Sequence, residues 1–175
     1  MTLQSTRERA GPADEAGSAD DRSFEAFYRS HVDRVYRALA LTLGNVELAR
    51  EATDEAMARA YARWDRLATY DNPGGWVFRV GSNWATSWWQ KLRRERPMPD
   101  QPTGVAYADD PEGQFALEVL GRLPRAQRAV VVCRVLLDLS TVETATALGV
   151  AEGTVKSRLA RGLATLRGIV TEERS

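Results

Sequence analysis

The stretch Leu139–Arg167 limits the possible folds of this chain most, because it has the pattern of two helices joined by a tight turn. Ser140 can cap the first helix, and Glu143 stands three residues later, where it completes a capping box. Gly149 falls where that helix must end and the chain must turn, often through a positive φ. The second helix has an apolar stripe at a four-residue step, formed by Val155, Leu159 and Leu163. The pattern predicts a helix-turn-helix.

The rest of the second helix surface is polar and basic. It carries Thr154, Lys156, Ser157, Arg158 and Arg161. No acidic residue occurs from Gly153 to Arg167. In helix-turn-helix proteins the second helix enters the major groove, where such side chains meet phosphates and base edges. The alternative is an ordinary pair of amphipathic helices with a solvated basic face, but the basic surface favours DNA binding.

The formal net charge of zero conceals two basic blocks. Residues 23–96 hold twelve basic and nine acidic side chains, and residues 115–175 hold nine basic and six acidic ones. Residues 97–114, between the two blocks, hold four acidic residues and no basic one. Local surfaces govern DNA binding more than total charge does. A neutral chain is therefore compatible with a nucleic-acid partner.

The composition of the chain predicts two small helical domains. Residues 97–114 are rich in proline, glycine and aspartate, which indicates a flexible linker. The first domain is expected over 23–96, and the second, which contains the helix-turn-helix, over 115–170. Residues 1–22 lack apolar periodicity and predict a disordered tail. Apolar periodicity predicts helices over about 24–43, 46–64, 76–94 and 125–137, so the expected fold class is all-α. The helix over 125–137 is expected to bury Val130, Val131, Val132, Val135 and Leu136.

The helix predicted over 46–64 carries a cluster of acidic side chains beside its apolar stripe. Its members are Glu51, Asp54 and Glu55, and Arg59 follows one turn later. Such a charge run is usually a solvated face of a helix. The alternative is an acidic dock for a basic partner.

The helix predicted over 76–94 is unusual in its tryptophan content. It holds Trp76, Trp84, Trp88 and Trp89, with the amides Asn83 and Gln90 and a basic end at Lys91, Arg93 and Arg94. Unpaired bases stack on aromatic rings, and amides pair with adenine edges, so this helix suits partly melted DNA. The alternative is that most of these tryptophans fill the core.

The sequence gives no sign of an enzyme, a cofactor site or a metal site. A single cysteine, Cys133, excludes an internal disulfide and a cysteine-rich zinc site, and its apolar surroundings predict burial. His31 has no nucleophile or set of ligands beside it, so we expect a surface or packing role. No apolar run is long enough for a membrane span, and the N-terminus lacks the apolar segment of a signal peptide. We therefore expect a cytoplasmic protein.

Three motifs carry a resemblance to a known family. The first is AREATDEAMARAY over 49–61, and the second is NPGGWVFRVGSNWA over 72–85. The third is LPRAQRAVVV over 123–132 together with the helix-turn-helix over 139–167, which contains GTVKSRL. With these motifs the chain resembles the sigma-70 family of bacterial RNA polymerase sigma factors, and within it the extracytoplasmic-function group. The pair Trp88-Trp89 followed by basic residues resembles an actinobacterial subgroup.

The resemblance implies a transcription initiation factor that binds core RNA polymerase and directs it to a two-part promoter. Residues 23–96 would correspond to region 2 and residues 115–170 to region 4. Region 4 would read the −35 element as duplex DNA, and region 2 would hold the melted −10 element. An anti-sigma factor is a further partner of this family.

The resemblance also implies roles for individual residues. Core polymerase would bind Glu51, Asp54, Glu55 and Arg59. The recognition helix would read the −35 element through Thr154, Lys156, Ser157, Arg158 and Arg161. Arg125 and Arg128, at an exposed helix start, suit contacts with the DNA backbone. The −10 element would be held by Asn72, Arg79, Asn83, Thr86, Ser87, Lys91 and Arg93.

Two other functions stay open on the residues alone. A stand-alone DNA-binding regulator would use the N-terminal block for sensing or dimerisation, and the pure protein would bind its operator tightly. A sigma factor would bind DNA weakly until polymerase is present. A helical interaction protein that binds no DNA would leave the basic recognition face unexplained.

Overall fold

The computed structural model describes residues 12–95 and 111–172. Its helices are α1 (Pro12–Leu43), α2 (Val46–Tyr61), α3 (Trp64–Leu67), α4 (Pro73–Glu95), α5 (Pro111–Gly121), α6 (Arg125–Val131), α7 (Thr141–Leu148) and α8 (Glu152–Glu172). These residues form no strand, which confirms the all-α prediction. Among them there is also no helix that combines the length and the apolar character needed to cross a membrane.

Helices α1, α2 and α4 pack together into the first helical block. Leu39 and Phe78 are fully buried in its core. The corner between α1 and α2 is made by Gly44, whose φ of +67° is one that side chains disfavour. Asn45 then caps α2, since its Oδ1 accepts a hydrogen bond of 2.9 Å from the N–H of Leu48. The Gly-Asn pair thus ends one helix and starts the next.

Gly81 sets how closely α4 approaches the other two helices. A Cβ at this position would lie 2.8 Å from Leu39 Cδ1 and 3.1 Å from the carbonyl oxygen of Ala52. We expect Gly81→Ala to lower the free energy of unfolding by about 1–3 kcal/mol, because the backbone of α2 would have to move. Urea denaturation followed by circular dichroism measures this loss.

The matched control is Gly168→Ala in α8, where an added Cβ would meet no atom within 4 Å. Alanine favours a helix over glycine, so this variant should be as stable as the wild type or slightly more stable. Equal stability of Gly81→Ala and the wild type would show that α4 does not need this close approach.

Helices α6, α7 and α8 form the helix-turn-helix block. Ser140 caps α7 by accepting from the N–H of Glu143 at 3.1 Å, while the Glu143 carboxylate accepts from the Ser140 N–H at 2.6 Å. Gly149 ends α7 with a φ of +65°. The capping box and the glycine turn are both confirmed. The hydrogen bond from the Ser140 backbone is the main cause that lowers the pKa of Glu143.

The two blocks pack against each other through a shared apolar core. Cys133, Leu139 and Ala147 of the second block belong to the same buried cluster as the core of the first. A hydrogen bond of 2.6 Å also joins them, from Arg34 Nε to the carbonyl oxygen of Leu136. Burial raises the pKa of the Cys133 thiol to about 12, which fits the predicted buried role.

The ends of several elements differ from the sequence expectation. Residues 12–22 are helical, so the prediction of a disordered tail is wrong for them. A nucleated helix gains a hydrogen bond with each residue added, and proline suits the first helical position. Residues 111–114, predicted as linker, form the first turn of α5. Residues 1–11 and 97–110, the rest of the predicted tail and linker, lie outside the described residues.

The helix predicted over 125–137 changes type halfway. It is α-helical as far as Val131 and then π-helical over Val132–Leu136. A π-helical turn holds an extra residue and so rotates the side chains that follow it. Val135, expected in the core, is 67 % exposed as a result, and its predicted burial is wrong. Val130, Val131 and Val132 are buried as expected.

Candidate nucleic-acid interface

The recognition helix α8 is fixed to its own block by one face. Val155 is fully buried, and Gly162 lies so close to α6 that a Cβ there would be 2.9 Å from Val131 Cγ2. The opposite face carries exposed side chains of Lys156, Ser157 and Arg161, and Thr154 and Arg158 are half-buried on its flanks. The ion pairs of the described residues, Glu25–Arg29 and Glu55–Arg59, lie outside α8. Its basic groups are therefore available to an anion.

A second polar face runs along α4. Five of the residues assigned to the −10 element lie on it at helical spacing: Arg79, Asn83, the neighbours Thr86 and Ser87, and Lys91. Arg79 is half-buried, and the other four are exposed. Val77, Phe78 and Ala85 on the other side of α4 are buried in the core. The structure thus brings these predicted residues onto one solvent-facing stripe; Arg93 lies in α4, but its side chain lies outside those described.

Asn72 differs from the other residues assigned to the −10 element, because its amide is already in use. Its Oδ1 accepts a hydrogen bond of 2.9 Å from the N–H of Gly75, which caps α4. Its side chain lines the same cleft as Glu143 of α7, and it helps to lower the pKa of the Glu143 carboxyl, after the larger effect of the Ser140 backbone. Asn72 therefore holds the start of α4 and touches the second block.

A cleft of about 540 Å³ separates the start of α4 from α7. The first block contributes Asn72, Trp76 and Arg79, and α7 contributes Glu143 and Thr146. Below the cleft the contact is tight, since a Cβ at Gly75 would lie 3.0 Å from Leu139 Cδ2. In this arrangement α7 faces one end of the polar stripe, and Asn83 and Lys91 lie further along the helix.

In the acidic cluster on α2, one carboxylate is paired with an arginine and the other two are exposed. Glu55 forms an ion pair with Arg59, and the Arg59 Nε donates to Glu55 Oε1 at 2.8 Å. Glu51 and Asp54 are exposed on the same helix, while Ala52 and Ala56 on its other side are buried. The cluster is thus presented on the outer surface of the first block.

The four tryptophans of α4 are divided between the core and the surface. Trp76 and Trp84 are partly buried against the apolar cluster. Trp88 is 38 % exposed and stacks on Trp84 with 6.4 Å between ring centroids. Trp88 is therefore the tryptophan most open to a base. His31 has the expected packing role, with its ring stacked on Phe27 at 4.4 Å between centroids.

The two arginines at the start of α6 are placed differently. Arg125 is exposed, whereas Arg128 is half-buried and faces the α1–α2 corner at Gly44. Burial, and then the charge of Arg125, lower the pKa of Arg128.

No group of residues in the described part of the chain has the composition of a metal site.

Sequence reasoning missed the side of the cleft that α7 provides. Val142, Glu143 and Thr146 line it, although the sequence suggests only a capping role for Glu143. Periodicity reports which face of a helix is buried, but it does not report which distant helix covers that face. No local signal in the sequence would have found this contact.

Comparisons with known proteins agree with this geometry. Residues 116–166 match the family model described as Sigma-70, region 4. The RNA polymerase sigma-E factor of Streptomyces avermitilis is 36 % identical over 149 residues, which cover 82 % of this chain and 83 % of that protein. The ECF RNA polymerase sigma factor SigM of Mycobacterium tuberculosis is 36 % identical over 156 residues, covering 85 % and 78 %.

A solved structure shares the helical architecture. The sigma factor RpoE of Bartonella quintana, solved in complex with the anti-sigma factor NepR, aligns with a TM-score of 0.72 at 19 % sequence identity. The alignment covers 86 % of this chain and 98 % of that one. At this identity the likeness concerns the fold.

Proposed function

This chain belongs to the extracytoplasmic-function family of RNA polymerase sigma factors, and we propose that its two helical blocks divide promoter recognition between them. It directs transcription initiation, as sigma factors do. The first block, residues 23–96, binds core polymerase and the melted −10 element. The second block, residues 115–170, reads the −35 element as a duplex. The protein acts in the cytoplasm, where the polymerase is.

The observation that carries this proposal is the pair of separate polar faces on α8 and α4. The face of α8 presents exposed cations and hydroxyls on a helix docked by its other side, which suits reading in a major groove. The stripe on α4 has an exposed amide at Asn83 and cations at Arg79 and Lys91, and the same helix has an exposed ring at Trp88 beside the stripe. Amides, cations and rings together suit unpaired bases on a single strand.

The acidic cluster on α2 is the proposed polymerase dock. Glu51 and Asp54 are exposed on the face opposite the one that packs in the core, so binding there leaves the helical block intact. The solved structure of the Bartonella sigma factor contains an anti-sigma factor. We propose an anti-sigma factor as a further class of partner for this chain.

A mobility-shift experiment tests the proposed function against a stand-alone regulator. A labelled promoter fragment is mixed with the chain alone, with core polymerase alone, and with both. A sigma factor gives a specific complex only in the third mixture. A tight, specific complex with the chain alone would assign it to the stand-alone regulators instead.

The exposed cations of α8 should determine selectivity for the −35 element. We expect Arg161→Ala to weaken transcription that depends on the −35 element by about 1–3 kcal/mol, the usual contribution of a bidentate contact between arginine and a base. Run-off transcription compares promoters whose −35 element is intact or scrambled. The matched control is Arg167→Ala, an exposed arginine nearer the end of the same helix. An equal loss on both promoters would give Arg161 a general electrostatic role instead of a reading role.

A further inference from the structure

A second cleft, of about 450 Å³, lies between the α1–α2 corner and the turn from α5 to α6. Its first wall is apolar and carries Leu43, Leu48 and Trp89. The opposite wall carries Arg125 and Arg128. No described residue that lines this cleft is acidic. Its volume falls within the range of about 300–1,000 Å³ that is typical of small-molecule sites.

The guanidinium of Arg128 has no carboxylate partner among the described residues, and one of its N–H groups makes no hydrogen bond to them. Its Nη2 makes only long hydrogen bonds, of 3.4 and 3.3 Å, to the carbonyl oxygens of Gly121 and Leu123. Its Nε is buried and has no hydrogen-bond partner among the described residues. Neither Arg128 nor Arg125 forms an ion pair with a described carboxylate. A half-buried guanidinium beside a like charge is stabilised when an anion binds.

The arginine wall is distinct from the recognition face of α8. Gln127 lies on the side of α6 that packs on α8, because a Cβ added at Gly162 of α8 would lie 3.6 Å from the Gln127 Cβ. Successive residues of an α-helix are rotated by about 100°. Arg128 and Arg125 therefore leave α6 in other directions, and Arg128 Nη1 comes within 3.4 Å of a Cβ placed on Gly44 of the first block.

We propose that this cleft binds a nucleotide. Its phosphates would lie on Arg125 and Arg128, since guanidinium groups bind phosphate oxygens through paired, charge-assisted hydrogen bonds. Its base would pack on the apolar wall, where the half-buried ring of Trp89 gives a stacking surface. A free nucleotide and a nucleotide unit of a strand offer the same chemistry.

The walls of the cleft belong to different blocks, so a bound nucleotide holds the two blocks together. Leu48 and Trp89 lie in the first block, and the two arginines lie in the second. The proposal does not rest on the proposed function, because nucleotide binding requires neither polymerase nor a promoter.

Isothermal titration calorimetry on the full chain tests the proposal. The probes are ATP, GTP, inorganic triphosphate and adenosine, without magnesium. We expect the two nucleotides to bind, triphosphate to bind more weakly, and adenosine to bind most weakly. Arg125→Ala with Arg128→Ala should weaken nucleotide binding at least about tenfold, because two charge-assisted contacts are lost. Trp89→Leu should weaken ATP binding and leave triphosphate binding unchanged.

Two further variants keep the test decisive. Arg125 is exposed and forms no hydrogen bond or ion pair with another described residue, so Arg125→Ala alone should fold normally and still weaken binding. Arg66→Ala with Arg167→Ala removes two exposed arginines outside the cleft and should leave binding unchanged.

Competition with a single-stranded oligodeoxynucleotide shows whether the cleft binds a free nucleotide or a nucleotide within a strand. If it competes with ATP, and its own affinity falls in the same arginine variants, the site holds a nucleotide within a strand. If it does not compete, the site holds a free nucleotide. The proposal is overturned if neither nucleotide binds the wild-type chain, or if both bind Arg125→Ala and Trp89→Leu as tightly as the wild type. Promoter-dependent transcription by the wild type, measured separately, reports on the sigma-factor function.

Discussion

Replacing Glu51 and Asp54 together by lysine is expected to abolish co-purification of the chain with core RNA polymerase. Both side chains are exposed on α2, and if this acidic cluster docks on a basic surface of the polymerase, as proposed, lysines there would have the wrong sign. Close charge pairs across an interface couple by about 1.5 kcal/mol or more each, so two reversals should weaken binding far more than tenfold. Pull-down with tagged core enzyme, followed by titration, measures the loss.

The control for this variant reverses two exposed acidic residues elsewhere. Asp65→Lys with Glu118→Lys makes the same change in net charge outside α2, and it should leave polymerase binding near the wild-type value. Circular dichroism should be unchanged in both double variants, because none of the four side chains is buried. Wild-type affinity of the Glu51 and Asp54 variant would show that the acidic cluster is merely a solvated face.

Asn83→Ala is expected to reduce open-complex formation about five- to 150-fold on a duplex promoter, the range that corresponds to about 1–3 kcal/mol. The amide of Asn83 is exposed in the middle of the polar stripe on α4. It can donate and accept at once, which matches the edge of an unpaired base. Its loss should therefore affect the step at which the −10 element opens. Permanganate footprinting of unpaired thymines measures this step.

A promoter already mismatched over the −10 region is the internal control for Asn83. Opening no longer has to be stabilised on that template, so the variant should lose less there. Arg79 and Lys91, the proposed phosphate contacts, remain in place in this variant, and their contribution should fall with added salt. An equal loss on both templates would move the melting role away from Asn83.

Local signals in the sequence predicted much of the fold and of the two polar faces. The capping box at Ser140 and the turn at Gly149 depend on side chains within a few residues, so the helix-turn-helix was predictable. The stripe that carries Arg79, Asn83 and Lys91 follows from helical periodicity alone.

Features that depend on contacts between distant residues were not predictable. The exposure of Val135 follows from a π-helical turn, for which the sequence gives no separate signal. The hydrogen bond from Arg34 to the carbonyl oxygen of Leu136 joins two blocks that are expected to be separated by a flexible linker. Arg128 was expected at an exposed helix start, but packing of the second block against Gly44 half-buries it.

Promoter-directed transcription with purified components tests the central claim most directly. Core RNA polymerase is incubated with genomic fragments, with or without the chain, and the 5′ ends of the transcripts are mapped. We predict discrete start sites that require the chain and that lie downstream of one shared pair of −35 and −10 elements. A correctly folded chain that binds these fragments but adds no start site to those of core polymerase alone would contradict the assignment as a sigma factor.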